Sequence, residues 1–182
     1  MNKTEKELEE DLKKADKRAK AFSSLVRIYQ ERLYWHIRKM VLVHDDANDV
    51  LQNTFMKAWA ALDNFRGDSQ LSTWLYRIAT NETLTFLANK RMRNSLSSIE
   101  VEDLMLQNLK ADSYFNGDEA QLKLQQAILT LPEKQRLVFN MKYFEDITYE
   151  EMEKALGTSV GALKASYHHA VKKIEKYLEE ES

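Results

Sequence analysis

The stretch Phe65–Asn81, FRGDSQLSTWLYRIATN, gathers a turn, aromatic rings, two arginines and an amide into one short run. Those are the groups a single-stranded nucleic-acid site uses: π-faces on which bases stack, cations along the phosphate backbone, and an amide that reads a base edge. Phe65-Arg66-Gly67-Asp68-Ser69 has loop chemistry. Gly67 tolerates backbone angles closed to other residues, and Asp68 and Ser69 favour bonds to nearby backbone. Ser72 is the expected N-cap of a following helix, with Leu71, Trp74, Leu75 and Ile78 at helical spacing on one face. Tyr76, Arg77, Thr80 and Asn81 are left for another face. The same spacing also fits a helix with a Trp core anchor and solvated arginines, and the pattern alone does not separate the two.

Helices must position that stretch. Only 4 Gly and 1 Pro occur in 182 residues, too few for a turn-rich β fold, and Leu, Ala, Glu, Lys and Gln dominate. The expected class is all-α, with enough length for one ordinary domain or two small ones. No apolar run approaches the roughly 18 residues of a membrane span, and MNKTEKELEE lacks the apolar segment of a signal peptide. The absence of Cys excludes disulfides and thiolate chemistry and fits a reducing cytoplasm, the expected location.

The net charge of −2 conceals an alternation along the chain. Residues 21–44 hold four Lys/Arg against one acid, 45–70 five acids against two bases, 71–93 four bases against one acid, and 94–120 six acids against one Lys. Basic patches suit phosphate and acidic ones a basic protein surface, so distinct surfaces for distinct partners are expected.

In chain order, residues 1–20 read as a charged helical extension or a solvated tail, with Leu8, Leu12, Ala15 and Ala19 at helical intervals. Residues 21–94 read as a helical domain. Its first helix, Phe22–Val43, carries an apolar stripe of Leu25, Val26, Tyr29, Leu33, Ile37, Met40 and Val41, with Arg38 and Lys39 elsewhere. Tyr34 and Trp35 suit the core, the expected place, or stacking on bases. Asp45 or Asp46 is expected to cap the next helix, whose apolar face is Val50, Leu51, Phe55, Ala58, Trp59 and Leu62. Its other face shows Asn48, Asp49, Gln52, Asn53, Met56 and Lys57.

Residues 95–120 read as an acidic linker, with Ser95, Ser97 and Ser98, the turn Asn116-Gly117-Asp118, and a hint of a short helix in Val101, Leu104, Met105, Leu106 and Leu109. Residues 121–182 read as a second domain. Pro132 opens one helix; Thr148-Tyr149-Glu150-Glu151 is a capping box opening another; Gly157 makes a turn, and Thr158 or Ser159 caps the last helix. Two helices joined through Gly-Thr-Ser have helix-turn-helix spacing, which a plain αα-hairpin shares.

DDANDVLQNTFMKAWAALDN followed by FRGDSQLSTWLYRIATN resembles the second conserved region of extracytoplasmic-function (ECF) sigma factors of bacterial RNA polymerase. LPEKQRLVFNMKYFEDITYEEMEKALGTSVGALKASYHHAVKKI resembles their fourth region. The resemblance implies two helical domains that bind core polymerase, through the clamp helices of the largest subunit and the flap, and promoter DNA. Asp49, Gln52, Asn53 and Met56 would face the clamp; Asn53 stands where the family usually has Glu. The loop Phe65, Arg66, Gly67, Asp68 and Ser69 would hold a non-template base flipped from the minus-ten element, Phe65 as an apolar wall, with Asn81 against the base and Arg77, Lys90, Arg91 and Arg93 on phosphates. Extruding a base costs a few kcal/mol of unstacking, which the pocket must offset. Ser159, Gly161, Ala162, Lys164, Ala165, His168 and His169 would face the minus-thirty-five major groove, with Lys172 and Lys173 toward its backbone. Ser166 and His169 stand where many relatives carry Arg, which removes bidentate guanine contacts. An anti-sigma factor is a further implied partner.

No glycine-rich phosphate loop, HExxH or nucleophile beside a base occurs, so neither an enzyme nor a cofactor is expected. No metal site is expected: neighbouring helical histidines such as His168 and His169 point about 100° apart, and no third ligand is near in sequence. The other readings the residues leave open are a helix-turn-helix regulator that binds duplex DNA without polymerase and a purely protein-binding helical adaptor.

Overall fold

The computed structural model describes residues 5–67, 69–94, 98–112 and 118–180. Asp68, Ser95, Ser97, Asn116 and Gly117 lie outside them. Among the described residues the regular structure is entirely helical: nine α-helices and one 3-10 turn, Leu62–Asn64.

Helices α1 (Glu5–Leu12), α2 (Arg18–Val41), α3 (His44–Ala61) and α4 (Leu71–Asn94) form the first region. The long helices α2, α3 and α4 pack against one another, and α1 lies on α2. Leu25, Leu33, Ile37, Val50, Ala58, Leu75 and Ala79 fill the space between them. Residues 5–12 are no tail. Leu8 and Leu12 are 1% and 2% exposed and belong to the same core.

Three local expectations need correction. Val43, not Asp45 or Asp46, is the N-cap residue of α3, which starts at His44 without a side-chain cap; the two aspartates sit in its first turn, where the helix dipole favours them. Ser72 lies inside α4. Trp59, expected on the buried face of α3, is 46% exposed, its indole edge-on to Phe22 at 5.0 Å.

The segment expected as a linker contains α5 (Ser98–Ala111), which packs on the next helix. Met105 and the fully buried Leu109 meet Leu42 from the end of α2 and Leu129 from the second region. Leu42 takes a left-handed backbone (φ 62°) to close α2, its N–H donating to the Arg38 carbonyl at 2.9 Å. For a non-glycine that conformation costs about 1–3 kcal/mol. Burying its side chain among these residues contributes about 1.5–3 kcal/mol, enough to offset the strain.

The second region holds α6 (Glu119–Leu129), α7 (Glu133–Tyr143), α8 (Tyr149–Leu156) and α9 (Val160–Glu180), with α6, α7 and α8 each packed on α9. Pro132 takes the N-cap of α7. The capping box of α8 is complete: the Glu151 amide donates to Thr148 Oγ1 at 3.2 Å, and the Thr148 amide donates to Glu151 Oε2 at 2.9 Å. Gly157 closes the helix at φ 66°; open space surrounds its missing Cβ, so the backbone angle alone asks for glycine. Ser159 Oγ caps α9 by accepting from the Ala162 amide at 3.3 Å.

The two regions close on each other. Here α8 packs on α4 and α7 on α2, and Leu137, Val138, Met141, Met152, Ala155 and Leu163 join the core of the first region. Polar groups cross the same boundary. The fully buried His36 imidazole of α2 meets Glu145 Oε1, from the turn after α7, at 3.0 Å and Thr80 Oγ1 of α4 at 3.0 Å. Arg38, also buried, pairs with Asp112 just beyond α5.

Candidate nucleic-acid interface

The loop before α4 hangs from one ring. Phe65 is 8% exposed, its ring 5.0 Å from that of Trp74, so it anchors the loop to the core and its expected role as a wall open to a ligand is not seen in this arrangement. Burial of a ring of this size is worth about 1.5–3 kcal/mol and fixes where the loop leaves the bundle. Arg66 and Gly67 (φ 81°) then project outward, exposed, and Ser69 is half-buried as the chain turns back. Asp68 lies outside the described residues.

On α4, Arg77 and Asn81 stand one turn apart and are both exposed. Tyr76 and Thr80, expected on that same face, are buried instead. Tyr76 lies near Glu145 of the second region and Thr80 bonds His36 Nε2 at 3.0 Å, partners of which sequence spacing carries no sign. Burial first, and the Glu145 charge second, raise the Tyr76 phenol above its ordinary pKa.

The basic end of α4 is engaged within the molecule. Lys90 pairs with Asp46 at 2.5 Å and Arg91 with Glu133 of α7 at 3.3 Å, whereas Arg93 is exposed. Both paired cations remain at least partly accessible, so a phosphate can compete for them.

The outer face of α3 is open. Asp49, Gln52 and Asn53 are exposed and Met56 is 63% exposed, a large apolar side chain amid polar ones. Lys57, on the same face, reaches Glu82 of α4 at 2.5 Å. The half-buried Tyr34 packs against the core and its hydroxyl bonds His44 Nδ1 at 2.7 Å; Trp35, also half-buried, lies edge-on to it at 5.0 Å.

On α9, Leu163, Ala170 and Ile174 face inward. Ser159, Gly161, Ala162, Lys164, Ala165, His168, His169 and Lys172 are all exposed on its opposite side, while Ser166 is half-buried. Lys164 Nζ lies 5.7 Å from the Tyr149 ring centre. The Glu175 carboxylate, 2.9 Å from Lys172, raises that ammonium's pKa, and Lys173 donates to Gln135 at 3.2 Å. The rings of His168 and His169 are 6.0 Å apart, and among the described residues no three His, Cys, Asp or Glu groups converge on a metal position. No described helix is long and apolar enough to cross a membrane.

Three surfaces therefore accompany one helical fold: an open α3 face, a loop leading into α4 with Arg77 and Asn81 exposed further along that helix, and an exposed α9 behind a tight glycine turn. Residues 25–93 match the model of Sigma-70 region 2, and residues 121–174 match that of Sigma-70 region 4. The chain belongs to the ECF sigma factors of RNA polymerase. It is 33% identical over 183 aligned positions to the RNA polymerase sigma-H factor of Pseudomonas aeruginosa, covering 96% of this chain and 94% of that protein. It is 32% identical over 166 positions to the ECF sigma factor SigW of Bacillus subtilis, covering 87% and 89%. The fold is similar to CnrH solved with the cytosolic domain of CnrY (TM-score 0.72, 22% identity, 98% of this chain and 99% of that one). It is also similar to the sigma factor RpoE of Bartonella quintana solved with the anti-sigma factor NepR (TM-score 0.68, 21% identity, 88% and 98%).

Proposed function

We propose that this chain directs core RNA polymerase to promoters and starts their melting. Asp49, Gln52, Asn53 and Met56 on α3 dock on the clamp helices of the largest subunit, and the second region meets the flap. The loop holding Arg66, Gly67, Asp68 and Ser69, anchored by Phe65, receives a flipped non-template base of the minus-ten element. The Asn81 amide, a donor and an acceptor at once, reads its edge. Arg77, Lys90 and Arg91 bind the phosphates, the last two by exchanging their carboxylate partners. The α9 residues Ser159, Gly161, Ala162, Lys164, Ala165, His168, His169 and Lys172 read the minus-thirty-five element in the major groove. Strand opening draws on binding energy alone, so the protein is a cytoplasmic DNA-recognition factor with no catalytic residue and no cofactor.

The observation that carries this reading is the exposure of Arg77 and Asn81 on α4, the helix that follows a loop whose aromatic anchor is buried. It presents polar reading groups and cations on a rigid helix, as a pocket for an unpaired base requires. An anti-sigma factor is a further partner; both similar structures are of complexes, one explicitly with an anti-sigma factor.

The test is transcription in vitro from a genomic promoter library with purified core polymerase, with and without the protein. New specific starts that need the protein are the expected result. Tight binding to duplex promoters without core, and no starts, would overturn the proposal in favour of a polymerase-independent helix-turn-helix regulator.

A further inference from the structure

The turn joining α1 to α2 lies against the loop assigned to base capture, outside the matched Sigma-70 region 2 segment. It holds Lys13, Lys14 and Lys17, and Arg18 opens α2. Two contacts fix its place. Arg18 spans the junction, its Nε donating to the Leu12 carbonyl at 3.1 Å and its Nη2 pairing with Asp63 at 2.9 Å, two residues before Phe65. On the far side, Glu5 Oε1 accepts from the Ser72 amide in the first turn of α4 at 3.2 Å and from the Tyr29 hydroxyl at 3.1 Å. The loop is thus tied to the N-terminal segment at both of its ends.

Lys13 uses that placement differently from its neighbours. Its Nζ stands 3.7 Å from where a Cβ on Gly67 would be, and the residue is exposed. Lys17 reaches Asp11 and Arg18 reaches Asp63, but none of the ion pairs among the described residues uses Lys13. A cation held over a glycine backbone, beside Arg66 and at the edge of an open surface, has the chemistry of a phosphate contact.

We infer that Lys13 binds a phosphate of the non-template strand, making the α1–α2 turn an outer part of the minus-ten surface. The inference rests on the base-capture reading for the position of the strand, but its test does not depend on the flipped base.

The experiment measures binding of holoenzyme to a fluorescent single strand taken from the minus-ten region of a promoter that the holoenzyme transcribes. Wild type, Lys13→Ala, Lys13→Arg and Asn81→Ala are compared across about 50 to 200 mM salt. For Lys13→Ala the affinity falls about threefold at low salt and the slope of log affinity against log salt shrinks by about 0.7, as for one lost phosphate contact on a single strand. Lys13→Arg restores both. Affinity and slope unchanged in Lys13→Ala would overturn the inference. Asn81→Ala reports separately on base capture: promoter opening unchanged in that variant defeats the base-capture reading without altering what the salt slope says about Lys13.

Discussion

His36 and Glu145 lie 109 positions apart in sequence and 3.0 Å apart in space, joining α2 to the turn after α7. The imidazole also touches Thr80 of α4, so one buried side chain gathers three elements from both regions. A boundary with such a polar centre differs from an all-apolar one, since water can replace its hydrogen bonds when the regions part. His36→Ala and Glu145→Ala each leave a partner buried and unpaired. A loss of about 1–3 kcal/mol in denaturant unfolding is expected for either. Glu145→Ala should also raise protease sensitivity between the regions, checked by limited trypsin digestion. Unchanged stability in both variants would show that this contact does not hold the closed form.

The helix α5 acts as a fastener between the regions. Leu109→Ala opens space among Leu42, Met105 and Leu129. Its expected cost is about 2–5 kcal/mol, in the usual range for a buried leucine, read as a lower urea midpoint. A fully exposed linker predicts no change at this position.

Asn81→Ala should slow promoter opening, followed by permanganate reactivity of unpaired thymines, while core affinity stays at the wild-type value. The variant removes a donor and an acceptor from an exposed position, so fold stability is expected within about 0.5 kcal/mol of wild type. Equal loss of opening and of core binding would remove Asn81 from the base-reading role.

Lys164→Ala tests the upstream element. Selection from a promoter library should lose discrimination at one or two minus-thirty-five positions, each by about 1–3 kcal/mol if the contact is to a base edge. A uniform drop across all sequences would assign Lys164 to the phosphate backbone instead.

Alkaline stability follows from the buried phenols. Tyr76 and Tyr29 both have their pKa raised above the ordinary 10.0, burial being the largest cause, with Glu145 and Glu5 respectively next. A group that ionises more readily unfolded than folded keeps its full contribution below pH 10.0 and loses it as pH rises beyond. Lys39 works in the opposite sense, since burial lowers its pKa and stability recovers as pH approaches its ordinary 10.5. Comparing Tyr76→Phe with wild type cancels the lysine contribution. The expected result is a shallower fall in melting temperature above pH 10 for the variant, and parallel curves would contradict the burial of the hydroxyl.

Much of this protein was legible along the chain because the responsible forces are local. The capping box of Thr148 and Glu151, the glycine turn at Gly157 and the serine cap at Ser159 each act within a few residues, so spacing reveals them. The helix faces of α4 and α9 were legible wherever apolar residues alone decided burial: Leu71, Leu75, Leu163 and Ile174 lie where periodicity puts them. Periodicity failed at polar residues. His36, Thr80 and Arg38 are buried with polar partners far along the chain, and Tyr76 is buried close to the Glu145 charge.

By itself the sequence determined an all-helical chain, the caps of α8 and α9, and the stretches that make it an ECF sigma factor. Only the tertiary structure decided that Glu5, Lys13 and Arg18 embrace the loop before α4, that α5 is docked, and that the two regions share a core. The physical reason is one of range. Helix formation and capping are settled by hydrogen bonds spanning three or four residues, whereas a buried polar pair such as His36 and Glu145 gains its energy only when distant segments exclude water together.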